Sequence, residues 1–236
     1  MTATGSAVCR AQTRRPVLEA ALFDWDGTLS DSRLALLTAW HRSTMEVLGR
    51  RFPVGRSEED IVFTRPSADI WPTLSAGAEA QARLAAAFLD AYDDLADTTR
   101  PFPGVDVALE RLREAGMAVG VVTSKGRPRL DADALRLGLA PLVDVSICAG
   151  EAPGAKPDPA PVHAALAALG VSPERAAMVG DTAVDVLAGA AAGVLPVGVA
   201  WGHGTAEELM AAGAAAVATG PDDLVTLLLG DAGADR

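Results

Sequence analysis

From residue 105 onward the chain alternates short apolar runs with helix-like segments that close on glycine, and this alternation restricts the possible folds more than any other feature. The spacing predicts a helix over 105–115 ending at Gly116, a strand over 117–122 and another over 143–148. It then predicts a helix over 159–169 closed by Gly170, a strand over 176–180, a helix over 183–192 closed by Gly193 and a strand over 194–199. Helices near 205–212 and 222–229 finish the series. Strands that alternate with helices form βαβ units, so the expected fold class is α/β with a doubly wound parallel sheet. The apolar run opening the stretch Val17 to Leu29 supplies one more buried strand to that layer.

Residues 31–100 have a different rhythm. Leu34, Leu37, Trp40, Met45 and Leu48 recur at near-helical spacing before Gly49, and residues 78–97 read as one long Ala-rich helix through Leu84, Phe88, Leu89 and Leu95. Between them, 50–77 reads as irregular, with Pro53, Gly55, Pro66 and Pro72. The whole stretch is expected to be helical without a strand, and Pro101-Phe102-Pro103-Gly104 marks its end. The division expected is a disordered tail over 1–16, an α/β core over 17–30 and 101–236, and an inserted all-helical domain over 31–100.

At 236 residues and 50% hydrophobic content the chain is long enough for such a core with an insertion. A formal net charge of −11 argues against a general attraction to nucleic acid or to an anionic membrane surface. No apolar stretch is long enough to span a bilayer. The tail is rich in Thr, Ala and Arg without an acid, which superficially suits an organellar transit peptide, but it lacks the apolar centre of a secretory signal. Two cysteines, Cys9 and Cys148, cannot make a disulfide framework or a thiolate metal site, so a reducing, cytoplasmic compartment is expected. Of the 20 basic residues only Lys125 and Lys156 are lysines. A chain that otherwise uses Arg keeps Lys where a compact point charge serves better than a planar fork.

The first apolar run ends abruptly in Asp24-Trp25-Asp26-Gly27-Thr28. Parallel sheets place ligands beyond the carboxyl ends of their strands. Residues two apart in a strand point the same way, so the two acids are expected to start as neighbours that need a cation or a proton between them. Gly27 permits a sharp turn and a close approach of the backbone to a ligand. Three further stretches carry chemistry. Thr123-Ser124-Lys125 follows the strand 117–122, where a hydroxyl can donate to an anion or cap the next helix. Lys156 stands in Gly154-Ala155-Lys156-Pro157-Asp158-Pro159, a fixed loop leading into a helix, and a solvated surface lysine is the ordinary alternative. Gly180-Asp181 ends the strand 176–180, and Asp185 follows four residues later, where it could also serve a helix N-terminus. A small set of oxygen ligands of this kind suits Mg²⁺. His41, His163 and His203 are scattered, and no phosphate-binding Walker loop, GxSxG or HExxH sequence occurs.

The order Asp24-x-Asp26-Gly27-Thr28, Thr123, Lys156, Gly180-Asp181-x-x-x-Asp185 resembles the four motifs of the haloacid dehalogenase (HAD) superfamily, and Asp31-Ser32 resembles its phosphoglycolate phosphatase-like branch. The resemblance covers roughly 17–230 and implies a helical cap inserted after the first motif. It implies a Mg²⁺-dependent phosphatase acting on a small phosphorylated metabolite through an aspartyl-phosphate. In that reading Asp24 is nucleophile and metal ligand, and Asp26 is acid/base and offers its backbone carbonyl to the metal. Thr123, Ser124, Lys156 and the amides around Gly27 hold the phosphoryl group, Asp181 ligates the metal and Asp185 supports it directly or through water. Arg65, in Thr64-Arg65-Pro66 of the insertion, is a candidate for substrate contact, and a surface arginine is the alternative. The presence of Asp26 weighs against dehalogenases and phosphonoacetaldehyde hydrolases. A β-phosphoglucomutase-like phosphomutase, a pyrophosphatase and a silent phosphate- or Mg²⁺-binding module stay open as alternatives, as does monomer or homodimer. Trp201-Gly202-His203 either rims the site or packs.

Overall fold

A computed structural model describes residues 17–230. The expectation of a disordered tail over 1–16 lies outside them. The sheet has six parallel strands in the order β5-β4-β1-β6-β7-β8. These are β1 (Ala20–Phe23), β4 (Ala118–Val122), β5 (Val145–Ile147), β6 (Ala176–Gly180), β7 (Leu195–Val199) and β8 (Ala216–Ala218). Side-chain alternation divides each strand between two layers. Ala21, Phe23, Val119, Val121, Ala177 and Val179 pack on one face with helices α5 (Val105–Glu114) and α10 (Pro221–Leu229). Ala20, Leu22, Ala176 and Met178 pack on the other with α7 (Ala160–Leu169) and α8 (Ala183–Ala192). Helices therefore cover both faces of the sheet, which is the doubly wound arrangement expected.

Chain order reverses at β1, which pairs with β4 on one side and β6 on the other. Phe23 is level with Val121 and with Val179, so Asp24, Thr123 and Asp181 all emerge just past the same edge. Such a switch point leaves a crevice at the carboxyl ends of the strands.

Two expectations need correction. The segment 50–77 is not irregular: it contains α2 (Arg56–Thr64) and α3 (Ser67–Leu74), with Gly55 and Pro66 at their N-caps. Gly55 and Pro66 start helices, and Pro72 is accommodated inside α3. The stretch 31–100 is also not free of strands. Ser30–Asp31 (β2) and Arg100–Pro101 (β3) pair antiparallel, a two-stranded ribbon where the chain leaves the sheet layer and returns. Between them α1 (Arg33–Leu48) packs on α4 (Ala78–Leu95) around Trp40, Phe52, Ile70, Trp71, Leu84, Phe88 and Tyr92. Trp40 stacks at 4.3 Å from Trp71 and 5.0 Å from Phe88. This apolar centre is separate from those of the sheet. The remaining helices are α6 (Arg127–Arg136) and α9 (Ala206–Ala211); no helix among the described residues is long and apolar enough to cross a membrane.

Candidate active site

β1 ends at Phe23, and the chain then turns tightly: the Trp25 carbonyl accepts from the N–H groups of Thr28, Leu29 and Ser30. The two carboxylates consequently diverge and pair with different lysines. Asp24 is buried and its Oδ1 accepts from Lys156 Nζ at 2.7 Å. Asp26 is half-buried, with Oδ1 2.6 Å from the Ser32 hydroxyl that donates to it and 3.2 Å from Lys125 Nζ. Each acid has its own lysine, and these are the only two lysines in the chain.

Lys156 also reaches Asp185 Oδ1 at 2.6 Å. One oxygen from each of Asp24, Asp181 and Asp185 lies within 4.8 Å of the others, and all three residues are buried. Three carboxylates against one lysine leave two negative charges in a dry place, the charge of one divalent cation. Burial pushes the Asp24 carboxyl well above the usual range, against the pull of Lys156, and Asp185 adds to the rise. Burial, then Asp185 and Asp24, raises Asp181 likewise. Burial disfavours the Lys156 ammonium, but Asp185 and Asp24 overcome it and hold the lysine charged. The donor set and its unbalanced charge fit a hard divalent cation such as Mg²⁺.

Local sequence explains how these groups come so close. A side chain at Gly27, where φ is +87°, would sit 2.2 Å from Asp181 Oδ2, and a Cβ at Gly180 would sit 2.2 Å from that of Asp185. Asp185 folds back because it closes a capping box with Thr182 at the start of α8, its Oδ2 accepting from the Thr182 hydroxyl at 2.7 Å. The helix-terminus role and the site role are thus carried by the two oxygens of one residue.

A cavity of about 350 Å³ opens above this floor. Asp24, Asp26, Thr123, Ser124, Lys125, Lys156 and Asp185 line its base, while Leu36, Val62, Phe63, Phe88, Leu89 and Arg65 line it from the inserted helices. Thr123 Oγ1 accepts from the Lys125 N–H at 3.1 Å, which leaves its hydroxyl proton to donate into the cavity. Ser124 is exposed there. Gly27 does not line it, and its N–H donates to the Ser30 carbonyl at 2.9 Å. Next to it, the N–H groups of Trp25 and Asp26 meet no backbone carbonyl among the described residues.

Residues 18–193 match the model of the haloacid dehalogenase-like hydrolase family. The chain belongs to that family. This hydrolase is 35% identical over 173 residues to a phosphoglycolate phosphatase of Caulobacter vibrioides, covering 70% of this chain and 72% of that one. It is 31% identical over 183 residues to an N-acetylmuramic acid 6-phosphate phosphatase of Pseudomonas aeruginosa, covering 76% and 80%. Its fold matches the crystal structure of a hydrolase from Pseudomonas syringae with a TM-score of 0.78 at 25% identity, over 89% of this chain and 97% of that one. The family and its phosphoglycolate phosphatase-like branch are those implied by the motifs.

Five residues around the site were left by the sequence with no role or an open one. Trp25 is fully buried, its ring in the sheet core and its Nε1 without a partner among the described residues, so its part in the turn is played by its carbonyl. His203 donates its backbone N–H to Asp181 Oδ2 at 2.7 Å while its ring reaches Asp60 of α2 at 2.7 Å and stacks on Phe63 at 4.3 Å. Trp201 Nε1 donates to the Thr28 carbonyl. Tyr92 and Asp133 converge on Lys125 from different elements, and only the scarcity of lysine pointed to that place.

Proposed function

We propose that this hydrolase is a Mg²⁺-dependent phosphatase that cleaves small-molecule phosphate monoesters by way of an aspartyl-phosphate on Asp24. The observation carrying this reading is the buried set Asp24, Asp181, Asp185 and Lys156 at the base of a cavity roofed by the inserted helices. Asp24, Asp181 and Asp185, with the backbone carbonyl of Asp26, would hold Mg²⁺, which when bound neutralises the carboxylates and draws charge from the phosphoryl oxygens.

Lys156 occupies Asp24 Oδ1, which leaves Oδ2 to attack phosphorus. As the new P–O bond forms, the bond to the leaving oxygen breaks and Asp26 gives that oxygen its proton. In the second half, Asp26 takes a proton from water, the water oxygen attacks phosphorus, and the bond to Asp24 breaks to release phosphate. Thr123, Ser124, Lys156 and the N–H groups of Trp25 and Asp26 hold the phosphoryl oxygens in place.

The roof favours an organic leaving group. A space of about 350 Å³ exceeds what a two-carbon acid fills, and Leu36, Val62, Phe63, Phe88 and Leu89 offer an apolar wall. Arg65 is exposed at the cavity wall and makes no ion pair among the described residues, so it suits an acidic group on the alcohol.

The test is Mg²⁺-dependent phosphate release from an aryl phosphate, with Asp24→Asn as control. We expect turnover by the parent chain and none above background by the variant. Equal rates would overturn the reading, as would binding of phosphate and Mg²⁺ with no turnover of any monoester in a panel.

A further inference from the structure

The proposed chemistry gives Lys156 a function but leaves Lys125 without one. Its ammonium is buried at the meeting point of three elements: it lies 3.2 Å from Asp26 Oδ1, donates to Asp133 Oδ2 of α6 at 2.8 Å, and donates to the Tyr92 hydroxyl of α4 at 2.7 Å. It also sits 4.4 Å above the Tyr92 ring. Asp133 is itself fixed by Arg136 at 2.8 Å and accepts from the Tyr92 hydroxyl at 3.2 Å. Two carboxylates and a phenol oxygen therefore hold one ammonium, and a residue of the inserted helices is among them.

The geometry at Asp26 shows what this arrangement does. Lys125 and Ser32 both converge on Oδ1, and no other protein donor reaches the carboxylate among the described residues. Oδ2 is left to face the cavity, which Asp26 lines. A carboxyl group pinned by one oxygen presents the other at a fixed place, as an acid must toward a leaving oxygen about 3 Å away. Lys156 treats Asp24 in the same manner, so each of the two acids is pinned by one lysine.

We infer that Lys125 is the positioning residue of Asp26, and that Tyr92 of the inserted helices keeps Lys125 in place, so that seating these helices over the site and aiming the acid are one event. The inference rests on the phosphatase reading above. A lysine used only to fill space would not need a compact charge here, since Arg is what this chain uses at every Lys/Arg position except this one and Lys156.

The experiment compares kcat/KM for two phosphate esters, because that ratio reports the step in which the ester bond breaks. One ester has a poor leaving group, an alkyl alcohol that must be protonated; the other is 2,4-dinitrophenyl phosphate, whose leaving group needs no proton. Asp26→Asn serves as reference and should lose about 10²-fold or more on the alkyl ester and far less on the dinitrophenyl ester. Lys125→Met should repeat that pattern with about 10-fold to 10²-fold loss on the alkyl ester. Tyr92→Phe, which keeps the ring and removes one partner of Lys125, should show the same selectivity at smaller size and guards against Lys125→Met failing to fold.

If Asp26→Asn is selective while Lys125→Met and Tyr92→Phe lower both esters equally, Lys125 is a structural residue and the inference falls while the phosphatase reading stands. If Asp26→Asn itself loses equally on both esters, Asp26 is not the acid and the underlying reading fails at that step.

Discussion

The floor and the roof of the cavity are built on opposite principles. The floor is made of buried and half-buried charges, each with a named partner, delivered by the loops after β1, β4, β5 and β6 at the carboxyl edge of the sheet. The roof is made of apolar side chains from α1, α2 and α4, backed by an aromatic cluster that is not part of the sheet core. On the floor, moving a carboxylate by one residue would break an ion pair in a dry environment, so residue type and place are both fixed. In the roof, many side chains of similar volume would serve. In the proposed reading the difference separates chemistry from selection: the floor carries the phosphoryl transfer, and the roof, apart from the Tyr92 link to Lys125, selects the alcohol.

The comparison breaks most completely if removing the metal leaves the floor working. Chelation should reduce turnover to the level of Asp24→Asn, and stability should then depend on pH with a defined sign. Asp24 is raised from an ordinary 3.8 to about 7 and Asp181 to about 8, in each case chiefly by burial. An acid raised on folding binds its proton more tightly in the folded chain. Its stabilisation is full below the ordinary value and is lost as pH rises through the raised one. The melting temperature of chelated protein should fall between about pH 4 and pH 8, and added Mg²⁺ should restore more of it at the upper end. A melting temperature indifferent to Mg²⁺ at about pH 8 would show that the three carboxylates hold no cation.

Next in size is a cut into the roof. Trp40→Ala removes the ring around which Phe52, Trp71 and Phe88 pack, and should destabilise the chain by about 3–5 kcal/mol. Tyr92 links the roof to the acid through Lys125, so the separable part is tested with 2,4-dinitrophenyl phosphate, whose leaving group needs no proton: its kcat/KM, measured well below the lowered melting temperature, should stay within about threefold. A loss approaching that of Asp24→Asn, with the fold intact by circular dichroism, would mean that the roof takes part in the chemistry.

What could be read from the sequence divides along the same line. β6 and α8 are legible to the residue because a fully buried apolar strand ends on Gly180-Asp181 and the helix closes on Gly193. The floor residues stand at such ends, so motif order was enough to collect them. α2 has no buried residue and therefore no apolar stripe, and α3 carries Pro72 inside it, so both were hidden in a segment that reads as irregular. β8 is three residues long and falls between Gly213 and Gly220, too short for any period to show. α6 buries only Leu130, Asp133 and Ala134, and the partnership of Asp133 with Lys125 and Tyr92 joins positions eight and 33 residues away from Lys125. Such contacts depend on the packing of helices, which local pattern does not encode. The roof's aromatic cluster is illegible for the same reason, although Trp40 and Phe88 each announced a buried helix face.

The smallest effect expected is at Arg65, and it separates the two halves most finely. Its guanidinium is exposed at the cavity wall and makes no ion pair among the described residues, in contrast to Arg129 nearby, which is held by Asp93 at 3.1 Å. Arg65→Ala should leave folding unchanged within about 0.5 kcal/mol, as for other exposed substitutions. It should also leave kcat/KM for an uncharged aryl phosphate unchanged, because nothing on the floor depends on it. For an ester whose alcohol carries a carboxylate, KM should rise about twofold to fivefold with kcat steady, the loss of a single screened charge pair made equally in ground and transition states. A drop in kcat for both esters would place Arg65 against the transferring phosphoryl group, making it part of the floor's chemistry although it comes from the roof. No change for either would leave Arg65 a surface residue and move selection wholly to the apolar wall.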